Sequence, residues 1–298
     1  MTDPSQLAVD PADVSGREAV PMGDALLQTG MLSDEDARRV AEHQARTGLD
    51  FDRAAVELAL ATPEDVAEAR AQLQGSLALS LAPSSEVSDE LVVLSDPASP
   101  RAEAIRLLRT QIISQHVSAG RRALAVCAAV DGSGATYIAA NLAAALSQVG
   151  YKTLLVDANL RNPRIDAIFG IDPSGPGLTS YLALQANRPE RVIYPNVLPN
   201  LSIIPSGPPV ARPQELLSGA RFRAGVDIVL REFDVAIFDT PATNENADAL
   251  TVAGVLGYAL VVARRDTAFV KDVQALAAQL AAARATIVGS VLNDYETP

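Results

Sequence analysis

Without tryptophan, and with only 4% aromatic residues, this chain has to build its core from Ala, Leu, Val and Ile. The 48% apolar content makes that a globular composition and excludes a disordered one. A single cysteine, Cys127, rules out an internal disulfide and fits a reducing compartment. Long apolar runs are absent. The longest, Leu250 to Ala263, has 14 residues, short of the roughly 20 that a bilayer-spanning helix needs. No basic-then-apolar signal layout opens the chain. The expected location is therefore cytoplasmic, with any contact to the inner membrane peripheral. Lysine is scarce as well, with Lys152 and Lys271 the only two.

Charge is present but unevenly placed. Of the 36 acidic and 24 basic residues, 19 and 6 lie in the first 100 positions, a net −13 there against +1 beyond. The acidic N-terminal third argues against a nucleic-acid partner.

Four regions follow from the pattern. Residues 1–20 are polar and aperiodic and read as a mobile tail. Residues 21–75 read as a small helical bundle, because Ala25–Gln44 is answered 29 residues later by Ala54–Gln72. Each copy carries a capping residue, Ser33 or Thr62, with an acid three positions on, Asp36 or Asp65; Pro63 takes a first helical position. Residues 76–100, rich in Ser and Pro, read as a linker. In residues 101–298 helices alternate with apolar strands, expected at 123–130, 153–158, 201–205, 234–239, 258–263 and 287–292. That alternation predicts an α/β domain, a mostly parallel sheet with helices on both faces. Ligands of such sheets bind at the carboxyl ends of the strands.

At the end of the first expected strand runs "AVDGSGAT", Ala129 to Thr136. Gly132 and Gly134 let backbone N–H groups turn inward around phosphate oxygens, and the helix that follows points its positive end the same way. Thr136 supplies the hydroxyl that a magnesium ion would use. Ala135 stands where G-x-x-x-x-G-K-[ST] has lysine. Asp157 and Asp239 each end a further strand, as acids of magnesium–nucleotide sites do. Singly, each of these features has an ordinary structural explanation as a turn or a cap.

Taken with "VDANLRNP", "IFDTPA", "IPSGPPVARPQELL", "VLND" and "EAIRLLR", these residues give a resemblance. From about residue 22 to 295 the chain is similar to the cytoplasmic tyrosine kinases of bacterial capsule and exopolysaccharide operons, in particular the chain-length-determinant kinases with an N-terminal helical domain. The resemblance implies a P-loop fold binding ATP or ADP with Mg2+. The nucleotide would meet Asp131, Gly132, Ser133, Gly134, Ala135, Thr136, Tyr137 and Asn293. Thr136, Asp157 and Asp239 would hold the metal, with Asp157 and Asp239 catalytic if the protein is active. Glu103, Arg106 and Arg109 match the family's E-x-x-R-x-x-R oligomerisation motif, implying a homo-oligomer; spacing alone explains them equally as ion pairs on a helix face. The implied partner is the cytoplasmic segment of a membrane polysaccharide co-polymerase.

Departures from the family fall on the chemistry. Ala135 replaces a cation that neutralises β/γ-phosphate charge, whose loss costs about 10²- to 10³-fold in rate. Asn159 replaces the second acid of D-A-D, and an amide neither takes a proton nor holds metal-bound water as a carboxylate does. Arg161 is the nearby basic residue, and Tyr295 is the one tyrosine left where relatives carry a tyrosine-rich tail. The expectation is a degenerate kinase-like regulator of exopolysaccharide chain length or export with weak nucleotide binding. Two alternatives are an active tyrosine autokinase and a cyclic-dinucleotide sensor. "MGDALLQTGMLSDEDARRVAEHQ" resembles the N-terminal domain of type II secretion and pilus ATPases, some of which bind cyclic di-GMP, but Pro21 stands where their motif has Arg.

Overall fold

The computed structural model describes residues 34–47, 51–58, 60–61, 87–244 and 246–294. The expected mobile tail, Pro21, the caps Ser33 and Thr62, Pro63, Asp65 and Tyr295 lie outside the described residues. The chain divides into two compact units, Met1–Leu77 and Ala78–Pro298. In the first, helices α1 (Asp34–Thr47) and α2 (Phe51–Glu57) bury Val40, Ala54, Ala55 and Ala61 together. His43 pairs with Glu57 between them at 3.2 Å.

In the second unit, seven strands form one sheet in the order β3-β4-β2-β5-β1-β6-β7. They are β1 (Ala123–Ala128), β2 (Thr153–Asp157), β3 (Tyr194–Leu198), β4 (Leu201–Ile204), β5 (Val235–Asp239), β6 (Tyr258–Arg264) and β7 (Thr286–Asn293). All neighbours run parallel except β3, which is antiparallel to β4. Strand β3 is not among the strands expected from the sequence. It is an edge strand with Pro195 in it, a residue that sheets accept only at an edge or bulge.

Apolar runs such as "ALAVCA" form buried strands because both faces of the sheet are covered. Alternate residues then serve opposite cores. Ala123, Ala125 and Cys127 join one cluster, with Phe222, Phe238 and Leu280. Leu124 and Val126 join the other, with Leu142, Leu146 and Ile165. The first face is covered by helices α7 (Leu178–Leu182), α8 (Pro213–Ser218), α9 (Ala220–Val229), α10 (Asp248–Leu256) and α11 (Val270–Ala282). The second is covered by α3 (Val92–Ser95), α4 (Pro100–Gln115), α5 (Ala135–Gln148) and α6 (Ile165–Phe169).

Within the Ser- and Pro-rich stretch, Leu91 to Leu94 are buried against the second face. Asn141 of α5, itself fully buried, fixes them there. Its side-chain oxygen accepts from the Val93 N–H at 3.3 Å, and its amide donates to the Glu90 and Tyr137 carbonyls at 2.8 and 3.0 Å. Among the described residues, no helix is long and apolar enough to cross a membrane.

Candidate nucleotide site

The loop between β1 and α5 turns through two left-handed glycines, Gly132 at φ 72° and Gly134 at φ 87°. An L side chain is strained at such angles, so glycine is what the turn requires. Gly134 caps α5, and Ala135 is the first residue of that 14-residue helix. The Ser133 hydroxyl, almost fully buried, closes the turn by donating to the Val130 carbonyl at 2.6 Å. From the far side of the loop, Asn293 at the end of β7 donates to the Ser133 carbonyl at 3.1 Å. Asp131 and Gly132 are exposed, while Gly134 to Tyr137 are half-buried.

Strand β5 lies between β1 and β2, which brings the three expected metal residues together. Asp157 and Asp239 are register partners at the carboxyl ends of β2 and β5. Thr136 donates its hydroxyl to Asp239 Oδ2 at 2.7 Å. Both acids are fully buried. Burial, then the neighbouring Asp239 charge, pushes the Asp157 carboxyl well up. This happens despite backbone N–H groups donated to it by Ile165, Arg164 and Asn159 at 3.1, 3.2 and 3.1 Å. Burial raises Asp239 to about 7, opposed by the Thr136 hydroxyl, the Thr240 N–H and the Arg164 charge. Asp239 Oδ1 is buried and accepts no hydrogen bond.

Two adjoining buried carboxylates, one with an orphaned oxygen, call for a proton or a cation between them. A hydroxyl, a carboxylate oxygen and room for water are what magnesium takes alongside nucleotide phosphates. The residues therefore fit that ion. Asp157 contributes differently from Asp239. Three of its about four acceptor positions are taken by the loop that follows it, so it organises residues 159–165 as well as carrying charge.

Among the described residues, the arginines nearest Asp157 are engaged, and both lysines lie outside the loop. Lys152 precedes β2 at the opposite end of the sheet, its Nζ 5.2 Å from the centre of the Phe233 ring. Lys271 lies in the first turn of α11, its Nζ 5.4 Å from the Phe269 ring. Arg161 makes a two-pronged pair with the buried Asp248, at 2.7 and 3.3 Å, tying the loop after β2 to the first residue of α10. Arg164 pairs with Glu90 at 2.6 Å. Asn159 accepts from the Asn162 N–H at 3.1 Å, so its side chain serves the turn. Neither the Arg161–Asp248 pair nor the Arg164–Glu90 pair has a spacing signal in the sequence, since the partners are 87 and 74 positions apart. Cys127, beside the site, is inert: burial pushes its thiol up to about 12.

On α4, Glu103 and Arg106 form the i, i+3 pair that their spacing allows, at 2.9 Å, and Arg106 also donates to the Pro97 carbonyl at 2.7 Å. Arg109 reaches the Ala145 carbonyl at 3.5 Å. Leu107, between them, is 60% exposed.

Comparison with known proteins agrees with this fold. A family model described as an AAA domain matches residues 121–282, more than half of the chain. The tyrosine-protein kinase YwqD of Bacillus subtilis is 30% identical over 210 residues, covering 70% of this chain and 87% of that protein. Some curated relatives are much longer, and the chain spans 26% of the length of three of them. Among solved structures, the kinase domain of the Escherichia coli tyrosine kinase ETK superposes with a TM-score of 0.66 at 27% identity, over 74% of this chain and 88% of that one. MinD of Pyrococcus horikoshii, a septum site-determining protein complexed with Mg-ADP, superposes with a TM-score of 0.52 at 25% identity, over 58% and 70%.

Proposed function

The chain belongs to the bacterial tyrosine-protein kinases built on this P-loop domain, and from that membership we propose that it is a kinase-like regulator of exopolysaccharide chain length or export, degenerate at its phosphate loop. It would work in the cytoplasm, against the membrane segment of a polysaccharide co-polymerase, as a homo-oligomer assembled through Glu103, Arg106 and Arg109.

The observation that carries this reading is a division within the site. Thr136, Asp157 and Asp239 keep a cation-binding arrangement, while Ala135 and Asn159 remove a phosphate cation and an acid. Neither lysine lies in the loop; Lys152 precedes β2 and Lys271 lies in the first turn of α11. Thr136 and Asp239 would hold magnesium through oxygen, and Gly132 to Thr136 would cradle the phosphates of ADP or ATP. Asn293 and Tyr137 would border the nucleotide. When bound, the ion supplies charge neutralisation between the β- and γ-phosphates. A missing charge-assisted contact is worth about 1.5–3 kcal/mol, or about 10- to 100-fold in affinity.

A second reading, an active autokinase, is favoured by the Asp157–Asp239–Thr136 arrangement itself. Calorimetric titration with Mg-ADP and Mg-ATP, together with ATP turnover, separates the two. Measurable but weak binding without turnover supports the regulator. Turnover that Asp239→Ala abolishes supports the autokinase, and no binding at all by the wild-type protein overturns the nucleotide site.

A further inference from the structure

Arg264 closes β6 and is the register partner of Asn293 at the end of β7. These two side chains reach adjacent peptide groups of the glycine loop. Arg264 Nη1 donates to the Gly132 carbonyl at 3.3 Å, and Asn293 Nδ2 donates to the Ser133 carbonyl at 3.1 Å. The approach is close: a Cβ built on Gly134 would collide with the Asn293 amide.

A trans peptide unit is planar, with its C=O and N–H pointing in opposite directions, and the chain has no cis peptide bond among the described residues. Drawing the Gly132 carbonyl toward β6 therefore turns the Ser133 N–H the other way. Drawing the Ser133 carbonyl toward β7 does the same for the Gly134 N–H. Successive N–H groups turned to one side form an anion-binding concavity. We propose that Arg264 is a positioning residue of the phosphate loop, acting with Asn293 from outside to aim the Ser133 and Gly134 N–H groups at the phosphate. In a chain with Ala135 in place of lysine, backbone donors carry more of the anion contact, and their aim matters more. This inference rests on the nucleotide-binding reading above for its ligand, but not for its geometry.

The experiment measures both parts on the full chain. Nitrogen-15 relaxation of the unliganded protein gives order parameters for the Gly132, Ser133 and Gly134 amides, where about 0.85 is rigid and below about 0.6 is flexible. Arg264→Ala should move these three amides from the rigid toward the flexible range while those of β2 and β5 stay unchanged. Arg264→Lys should restore part of the order and also serves if the alanine variant does not fold. Arg265→Ala removes a neighbouring charge that pairs with Asp294 and should change nothing in the loop. Mg-ADP titration should show about a tenfold loss for Arg264→Ala and a smaller one for Arg264→Lys. Unchanged loop order parameters in Arg264→Ala overturn the proposal, as does unchanged Mg-ADP affinity. If the wild-type protein itself binds no Mg-ADP, the functional reading fails and the order parameters alone decide the role of Arg264.

Discussion

Asp157 and Asp239 are register partners on β2 and β5, equally buried, yet the backbone satisfies them unequally. Three N–H groups converge on Asp157, while Asp239 keeps an oxygen without a partner. Asp157 is thus tied into its loop, while Asp239 keeps one oxygen uncommitted.

The pair should make stability depend on pH. The Asp239 carboxyl is raised to about 7 in the folded protein, from about 3.9 in an unfolded chain. Between those values the folded state holds more protons, so the contribution is fully present below about 4 and is lost as pH rises through about 7. Asp239→Asn, melted beside the wild type in a chelator from pH 5 to 8, should flatten this fall. His116, whose imidazole burial pushes below its usual value, contributes equally to both proteins and cancels in the difference. Magnesium with ADP should raise the wild-type melting point most at pH 8. An identical pH dependence in the two proteins would contradict the assignment.

Restoring the missing groups tests the degenerate reading. Ala135→Lys returns the phosphate cation at the first residue of α5, and Asn159→Asp keeps an acceptor for the Asn162 N–H. The double variant should turn over ATP well above the wild type, with each single change giving much less, since groups that act together are non-additive. Adding Asp239→Ala should abolish the gain. A wild type already as fast as the double variant would favour the autokinase.

Assembly through α4 is testable by light scattering. Arg106→Ala with Arg109→Ala should lower the oligomer mass. Because Arg106 also ties down the Pro97 carbonyl, the melting point is measured alongside. Leu107→Asp, which changes an exposed position, should weaken assembly without that complication. An unchanged mass in both variants would remove this helix from the interface.

Asn141 is the joint between α5 and the segment ahead of α4. Asn141→Ala leaves the Val93 N–H without its partner and takes one of two donors from the Glu90 carbonyl, which keeps the Val92 N–H at 2.9 Å, at about 1–3 kcal/mol for the group left buried and unsatisfied. A unit of this size should lose about 2–4 °C in melting point per kcal/mol. Limited proteolysis should then cut first between residues 87 and 99. A variant as stable and as resistant as the wild type would show that this joint carries no load.

The sheet was legible where strands are uninterrupted apolar runs closed by an acid, as in "TLLVD" and "VAIFD", because burial on both faces leaves no other pattern. The strand at "YPNVL" was not, since its residues are partly exposed and its Pro and Asn read as a turn; Asn196 indeed has a positive φ of 51°. "ELVVL" is apolar enough to be core, but its Ser- and Pro-rich flanks hid it. At the site, Thr136, Asp157 and Asp239 could be found because strand ends and a glycine turn fix their places. The Arg161–Asp248 pair and the Arg264 contact could not be found, because partners 87 and 132 positions apart meet only once the strand order is known.

Lys152 stands over Phe233 and Lys271 over Phe269, and neither lysine belongs to the glycine loop. Acylating nucleotide probes, which tag lysines near bound phosphates, will therefore find no lysine in the loop itself, and silence in such a survey says nothing about occupancy. The same poverty is useful to the experimenter. A lysine introduced at position 135 becomes the one taggable amine on that loop, so its modification, and protection from it by ADP, reports occupancy of the site residue by residue.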